Sequence, residues 1–526
     1  MWSLKSTFAI IGILTAASVA FAAPDEVRID SGLLKGVVQD GVTVFKGIPF
    51  ATPPVGDLRW RPPQPVKPWT GVKLAYKFGP DCMQISFPGD MTPPSVAPAE
   101  DCLYVNVWTP AGDSAKLPVI VWIYGGALVN GGSSSAIYDG SQFAKQGCVF
   151  VSFNYRLGRF GFFGFPALTR AFPDELKGNY GYMDQLAALK WVQMNAAAFG
   201  GDAHNVTIFG ESSGGGSVIT MLASSLARGL FHKAIVESGG GRKIFMGRRY
   251  LNKPGDNHAP SAEQMGVNFA QSVGIEGEDA AALAALRKLP ADTVLGGVND
   301  ISIHQGAGAG TYCSSLVDGK IVVESQGEAY AAGRGAKVPV MVGTTNADSA
   351  HGNPSSKDEV FRQFGAYAVQ ARAVYDPDGN AELKVLSRAV ETDLTMVEPA
   401  RFLAQSITAA GEPAYFFRFS YVAEAKRKEW PAAPHASEIP FVFDTVAVAY
   451  GRDLTEADKA TARDLNTYWV NFAKTGNPNG KGLPEWPVYS PLTNMLMNFT
   501  NAGPVGQVDP WKARLDLVEA LANQDK

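Results

Sequence analysis

The sequence predicts an α/β fold, in which a mostly parallel central sheet carries helices on both of its faces. Short, almost wholly apolar segments alternate with helical patterns in the first half of the chain. These segments suit strands that are buried on both faces, and they are VIVWIY (119–124), VFVSFNY (149–155) and VTIF (206–209). Residues 181–199, between the second and third segments, have a helical pattern. The order strand, helix, strand favours parallel strands joined by helices that cover the sheet.

The second half of the chain adds two buried-strand candidates and one large insertion. VPVMVG (338–343) and YFFRFSY (415–421) have the same apolar character as the earlier segments. Residues 243–335 are helical and loop-rich in pattern, and we expect them to lie over the carboxyl ends of the strands. Because no repeat, low-complexity tract or charged linker divides the chain, residues 23–526 are expected to form one domain.

The composition of the 526 residues excludes several classes of protein. With 46% hydrophobic and 18% charged residues, the chain is expected to be soluble and globular. Its 46 basic residues do not exceed its 50 acidic residues, so there is no electrostatic footprint for nucleic acid or an anionic membrane surface. The 29 Phe, 17 Tyr and 10 Trp residues supply more core-forming surface than a disordered chain carries.

The first 22 residues have the pattern of a cleavable secretory signal. Lys5 precedes an apolar run over residues 8–20, and small residues at Ala20 and Ala22 place the cleavage near Ala22. The alternative is an uncleaved membrane anchor, although the run is shorter than the roughly 20 residues that a spanning helix needs. No other long apolar stretch suggests a membrane span, so a secreted or periplasmic protein of bacterial type is expected.

The four cysteines predict one disulfide and no metal site. Cys82 and Cys102 enclose a Pro-rich, polar loop that has little apolar surface to hold it by packing, and export permits a bridge between them. Cys148 opens an apolar strand, which favours a buried thiol. Neither Cys148 nor Cys313 has metal-ligand spacing.

The candidate nucleophile is Ser212, in the only G-x-S-x-G pattern of the chain, residues 210–214. The pattern alone is weak evidence, because glycine and serine are common in this sequence. Its context is stronger, since VTIF runs directly into it and a helical segment follows. A strand-to-helix turn this tight strains the serine backbone, needs flanking glycines, and lifts the hydroxyl above the sheet edge. A Gly-rich turn with a capping serine is the alternative.

The candidate oxyanion hole is formed by the backbone amides of Gly126, Ala127 and Ser213. Small residues follow the strand VIVWIY directly, where backbone N–H groups can approach the reacting carbonyl group. Ser213 is the residue after the nucleophile, which commonly supplies a further amide. A plain glycine turn after a strand is the alternative.

The base and the acid are predicted from chain order, which in hydrolases of this fold class is serine, acid, histidine. Of the six histidines, His435 lies late enough in the chain for an acid to precede it. Asp348 stands just beyond VPVMVG, where the active site of an open α/β sheet forms. The sequence therefore predicts a triad of Ser212, Asp348 and His435, and a surface aspartate and a surface histidine are the alternatives.

These motifs resemble those of the type B carboxylesterases, the cholinesterase-like branch of the α/β-hydrolases. The resemblance covers nearly all of the chain after the signal, and its pieces are FKGIPFATPPVGDLRWRPPQP (45–65), AEDCLYVNVW (99–108), WIYGGA (122–127), NYRLGRFGF (154–162), GNYGYMDQ (178–185), FGGDAHNVTIFGESSGG (199–215), HASEIPFVF (435–443) and NFAKTGNPN (471–479). It implies an α/β-hydrolase fold and a serine hydrolase that acts on carboxylic esters without a cofactor. It also implies the predicted nucleophile, histidine, oxyanion amides and disulfide, together with two ion pairs, Arg59 with Glu100 and Arg156 with Asp184.

Three features differ from the family pattern, and a fourth feature agrees with it. Asp348 stands where the family usually has glutamate, and Ala127 stands where many relatives have a third glycine. No tryptophan lies between Cys82 and Cys102, which argues against choline esters because the aromatic wall for a quaternary ammonium is missing. Glu211 matches the acidic residue beside the nucleophile, which is expected to tune the site electrostatically.

The function predicted from the sequence is hydrolysis of small to medium carboxylic esters through an acyl-enzyme, with water as the acyl acceptor. Aryl or short-chain acyl esters are the favoured substrates. Three alternatives stay open: a catalytically inactive binding or adhesion protein of the same fold, an acyltransferase, and an interfacial lipase.

Overall fold

The computed structural model describes residues 25–112, 115–242, 247–349 and 352–524. The predicted export signal, residues 1–22, lies outside the described residues. Within those four ranges, no helix is both long enough and apolar enough to cross a membrane.

Strands and helices alternate along the described chain. The strands are β1 (Glu26–Ile29), β2 (Gly32–Lys35), β3 (Val37–Gln39), β4 (Val42–Pro49), β5 (Val72–Leu74), β6 (Tyr104–Pro110), β7 (Leu117–Ile123), β8 (Val149–Phe153), β9 (Phe162–Phe163), β10 (Gly178–Asn179), β11 (Gly201–Glu211), β12 (Lys233–Glu237), β13 (Val340–Thr345), β14 (Ala414–Phe419), β15 (Met495–Thr500) and β16 (Gly503–Val508). The helices are α1 (Ser141–Lys145), α2 (Gly158–Gly161), α3 (Pro166–Ala171), α4 (Tyr180–Asn195), α5 (Ser213–Ala223), α6 (Ala262–Ser272), α7 (Ala280–Lys288), α8 (Ala291–Leu295), α9 (Asp300–His304), α10 (Gln326–Ala331), α11 (Lys357–Arg362), α12 (Ala368–Tyr375), α13 (Leu383–Thr392), α14 (Glu398–Ala409), α15 (Ile439–Val442), α16 (Val446–Tyr450), α17 (Glu456–Thr475) and α18 (Lys512–Gln524).

A central sheet of 11 strands organises the fold, in the order β16-β15-β14-β13-β12-β11-β7-β8-β6-β4-β3. Every neighbouring pair from β15 to β8 is parallel. Antiparallel pairs are confined to the two ends of the sheet. The predicted α/β fold, with a mostly parallel sheet between helices, is therefore confirmed.

The central strands form because their residues are apolar on both faces. All residues of β8 (VFVSF), β13 (VMVGTT) and β14 (AYFFRF) are buried. Branched and aromatic side chains suit the pleated surface of a strand, and each one fully buried contributes roughly 1.5–3 kcal/mol of hydrophobic stabilisation. The predicted strand at VTIF lies within β11, and the predicted helix at 181–199 covers α4 and a following turn that Gly200 ends with a φ of 80°.

Cross-links and ion pairs fix the loops around this core. A disulfide joins Cys82 and Cys102, while the thiols of Cys148 and Cys313 are free and buried. Both ion pairs that the resemblance implies are present, between Arg59 and Glu100 and between Arg156 and Asp184. Helices α6 to α10 lie between β12 and β13, where the sequence predicted a helical insertion.

The parallel strands bring distant parts of the chain to one edge of the sheet. Strands β7, β11, β12 and β13 run in the same direction, so their carboxyl ends lie at the same edge. The residues that follow these strands therefore meet there, and the predicted oxyanion loop, nucleophile and acid are among them.

Candidate active site

The predicted nucleophile, Ser212, forms the turn between β11 and α5. Its φ of 56° and ψ of −127° are sparsely populated by residues with a side chain. Two backbone hydrogen bonds hold this conformation, because Ser212 N donates to Glu237 O (2.9 Å) and Gly216 N donates to Ser212 O (2.8 Å). Hydrogen bonds to the neighbouring strand and to the first turn of the helix therefore hold the strained backbone conformation of Ser212 in place.

The two glycines of the G-x-S-x-G pattern allow this turn to approach β7. A Cβ atom on Gly214 would lie 2.0 Å from the carbonyl oxygen of Ile123, and one on Gly210 would lie 2.6 Å from the same oxygen. Neither glycine has a positive φ. From the sequence, the glycines are expected to serve the strained serine, whereas the structure shows that close contact with the neighbouring strand requires them.

The predicted acid and base are joined by a hydrogen bond between Asp348 Oδ1 and His435 Nδ1. The Asp348 side chain has no exposed surface, and its other oxygen, Oδ2, accepts hydrogen bonds from Ser238 Oγ (2.6 Å) and Thr345 N (2.9 Å). This set of donors favours a charged carboxylate that keeps a proton on Nδ1 and leaves Nε2 as the proton acceptor.

Two loops that are far apart in sequence are tied together to align this pair. Ala433 N donates to Asn346 Oδ1 (2.7 Å), and Ala347 N donates to Ala433 O (3.0 Å). The loop after β13 thus carries the acid, and the loop after β14 carries the histidine two residues beyond Ala433. These bonds fix the spacing between the carboxylate and the ring.

The free face of the histidine points toward the residue that precedes the nucleophile. His435 Nε2 lies 3.3 Å from Glu211 Oε1, and the histidine side chain is 35% exposed. Among the described residues, His435 makes no hydrogen bond with Ser212 Oγ. Such contacts are often long in unliganded hydrolases and tighten when substrate binds.

Burial and charge set the protonation of Glu211 and His435 together. Burial raises the pKa of Glu211 to about 7, an effect that the neighbouring His435 opposes. At His435, burial disfavours the protonated ring and by itself lowers the pKa. The carboxylates of Glu211 and Asp348 outweigh this effect and raise the pKa of His435 above its ordinary value. The protonation of each group therefore depends on the charge of the other.

The predicted oxyanion loop lies against the nucleophile. A Cβ atom on Gly125 would lie 3.0 Å from Ser212 Cβ, and Leu128 N donates to Ser213 Oγ (3.2 Å). Gly126 has a φ of 104° and Ala127 a φ of 53°. In the described ranges, the amides of Gly126, Ala127 and Ser213 donate to no protein group. Three N–H donors thus stay available beside the serine for a substrate oxygen.

Sequence reasoning missed Ser238, which donates to the acid. Ser238 directly follows β12 and has a φ of 49°. Its sequence signal is the same as that of Asp348, a polar residue at the carboxyl end of a buried strand. Which strand ends are neighbours depends on the strand order, and local patterns do not reveal that order.

Comparison with known proteins shows the same architecture elsewhere. Residues 23–509 match the model of the Carboxylesterase family. The chain is 34% identical over 472 residues to the para-nitrobenzyl esterase of Bacillus subtilis, covering 87% of this chain and 91% of that protein. It is 32% identical over 476 residues to the fumonisin B1 esterase of Sphingopyxis macrogoltabida, covering 87% of this chain and 83% of that protein. A solved structure of PNB esterase superimposes with a TM-score of 0.79 at 31% identity, covering 94% of this chain and 99% of that one.

Proposed function

Because the chain belongs to the carboxylesterase family and is a carboxylic ester hydrolase, we propose that it works through an acyl-enzyme formed on Ser212. The observation that supports this most is the hydrogen bond between the buried Asp348 and the partly exposed His435 beside the strained serine turn. Hydrolases that use a serine nucleophile need this combination of a held base and a raised hydroxyl.

The first half of the proposed reaction acylates the serine. Ser212 Oγ attacks the ester carbonyl carbon while its proton passes to His435 Nε2. The negative charge on the carbonyl oxygen is stabilised by the amides of Gly126, Ala127 and Ser213. Asp348 stabilises the charged imidazolium. The C–O bond of the ester then breaks, and the departing alcohol takes the proton from His435.

The second half of the proposed reaction releases the acid. His435 removes a proton from water, which attacks the acyl carbon and forms a second tetrahedral intermediate in the same oxyanion hole. The bond to Ser212 Oγ then breaks, the serine regains its proton, and the carboxylic acid leaves. Water is thus the acyl acceptor, and no cofactor takes part.

For the substrate, we propose small to medium esters with an aryl or short-chain acyl group. The Bacillus subtilis relative is named for para-nitrobenzyl esters, which carry an aromatic alcohol. We also propose that residues 23–526 form the mature exported enzyme. The Cys82–Cys102 disulfide supports an oxidising location, where such bonds persist.

The test is labelling with a fluorophosphonate, which needs no knowledge of the substrate. We expect a single adduct on Ser212 by peptide mass spectrometry, absent in Ser212→Ala and retained in the matched control Ser225→Ala, which removes an exposed hydroxyl. An adduct that persists in Ser212→Ala would contradict the assignment, and no adduct at all would favour a binding protein. Acyl transfer to an added alcohol in preference to water would indicate an acyltransferase.

A further inference from the structure

Three buried carboxyl groups form a cluster beside the candidate active site, and none of them has a step in the proposed mechanism. Glu211 is 3% exposed, and Glu237 and Glu438 are 0% exposed. We call Glu211, Glu237 and Glu438 the carboxyl cluster. Burial of a charged carboxylate without compensation is strongly unfavourable, so each member must be paired, bonded or protonated.

The register of the sheet places two members of the carboxyl cluster side by side. Glu211 and Glu237 are direct partners across the parallel strands β11 and β12. Their side chains therefore point to the same face of the sheet and are separated by one strand spacing, roughly 5 Å. Like charges at directly opposed positions destabilise a sheet, and two carboxylates sharing such a site hold a proton between them.

The hydrogen-bond partners of the cluster are few. Glu237 Oε1 accepts from Trp469 Nε1 of α17 (2.8 Å), while Glu237 Oε2 accepts from no group in the described residues. Neither oxygen of Glu438 has a partner in the same ranges. Within the described chain, neither Glu237 nor Glu438 forms an ion pair, and Glu211 lies beside the ring of His435, which is a cationic partner only when it is protonated.

The other titratable groups that face the cluster add negative charge. Asp348 acts on both Glu211 and Glu438, and Asp300 at the start of α9 acts on Glu211. Burial raises the pKa of Glu237 to about 8, opposed by the Trp469 hydrogen bond and increased by Glu211. Burial also raises the pKa of Glu438, and Glu211 and Glu237 add to that increase.

We propose that Glu237 and Glu438 hold protons in the resting enzyme, so that the carboxyl cluster carries one negative charge, on Glu211 facing His435. Glu237 is then a positioning residue with two functions. Its carbonyl oxygen accepts the hydrogen bond of Ser212 N, and its neutral carboxyl group allows Glu211 to stay charged beside the base. This inference rests on the proposed function, in which His435 is the base.

The test compares the pH dependence of kcat/KM in two isosteric variants. Glu237→Gln imitates a neutral acid and can still accept the Trp469 hydrogen bond, so we expect its acidic limb to coincide with that of the wild type. Glu211→Gln removes the charge that stabilises the imidazolium, so we expect its acidic limb to move to lower pH by about one unit or more.

Either of two outcomes would overturn the inference. A shift of the acidic limb of the kcat/KM profile to lower pH in Glu237→Gln, equal to the shift in Glu211→Gln, would mean that Glu237 is ionised in the wild type. A limb that does not move in Glu211→Gln would mean that the charge is not on Glu211. Fluorophosphonate labelling of Ser212 is measured in every variant, so a failure of the proposed function is recognised separately, as an adduct elsewhere or none.

A second measurement covers the case in which Glu237→Gln does not fold. The infrared spectrum of wild-type protein with isotope-labelled glutamate reports the C=O stretch of protonated carboxyl groups directly. We expect this band at pH 7 and its partial loss as the pH rises through about 8. A spectrum at pH 7 with no protonated carboxyl band would overturn the inference.

Discussion

Removal of the Ser238 hydroxyl tests how the acid of the candidate triad is held. Ser238→Ala deletes the side-chain donor to Asp348 Oδ2 and keeps the backbone donor of Thr345 and the contact with His435. The carboxylate then stays buried with one donor fewer. We expect the variant to fold and to lose activity.

The magnitude follows from the partners of this hydrogen bond. It is 2.6 Å long and joins a buried hydroxyl to a buried carboxylate. Hydrogen bonds to charged groups contribute about 1.5–3 kcal/mol, and each 1.4 kcal/mol corresponds to tenfold in rate. Because Asp348 keeps the Thr345 donor, we expect the lost free energy to lie at the lower end of this range. The value of kcat should then fall by about tenfold, with KM nearly unchanged.

The assay is steady-state hydrolysis of a chromogenic aryl ester, with Ser437→Ala as the matched control. Ser437 is equally buried and lies in the histidine loop, but its hydroxyl has no partner among the described residues. We expect the control to retain wild-type kcat. Equal losses in both variants, or a Ser238→Ala enzyme with unchanged kcat, would refute the idea that this hydrogen bond holds the acid.

Three further predictions concern the proposed base His435, the proposed oxyanion loop and the serine turn. Since the pKa of His435 is raised and its protonated ring accepts no proton, kcat/KM should fall as pH drops through a value above about 6.5; a flat pH–rate profile would contradict this. Ala127→Gly should relieve left-handed strain and raise the unfolding free energy by up to about 1 kcal/mol in chemical denaturation, with activity retained. Gly214→Ala should abolish activity and lower the unfolding free energy by more than about 3 kcal/mol, because the added Cβ would lie 2.0 Å from Ile123 O. A variant with the melting temperature of the wild type would contradict this prediction.

The sequence carries most of the information about the central strands. The apolar segments near β7, β8, β11, β13 and β14 predict these strands because residues buried on both faces leave an uninterrupted apolar pattern. Their order in the sheet does not follow from that pattern. Strand β8 comes between β7 and β11 in the chain, yet β7 pairs directly with both.

The candidate site likewise contains residues that the sequence predicts and residues that only the structure reveals. Ser212 is marked by a local pattern, and the structure places Asp348 and His435 together as chain order predicted. Their catalytic roles stay predictions. Ser238 and Glu237 could not be singled out from the sequence, because their importance depends on the register between strands and on which loop lies above them. A single polar residue at the end of an apolar strand has the same local appearance whether it faces a buried acid or solvent.

The distribution of the site along the chain has a consequence for how the protein is made. The serine turn and the proposed oxyanion loop lie within residues 125–213, whereas the proposed acid and base follow β13 and β14, more than a hundred residues later. A nascent chain therefore emerges from the ribosome with its proposed nucleophile but without its proposed base. Esterase reactivity would arise only when translation is nearly complete. The same division makes the chain a candidate for a split reporter, in which two separately expressed fragments regain activity only by assembling one sheet.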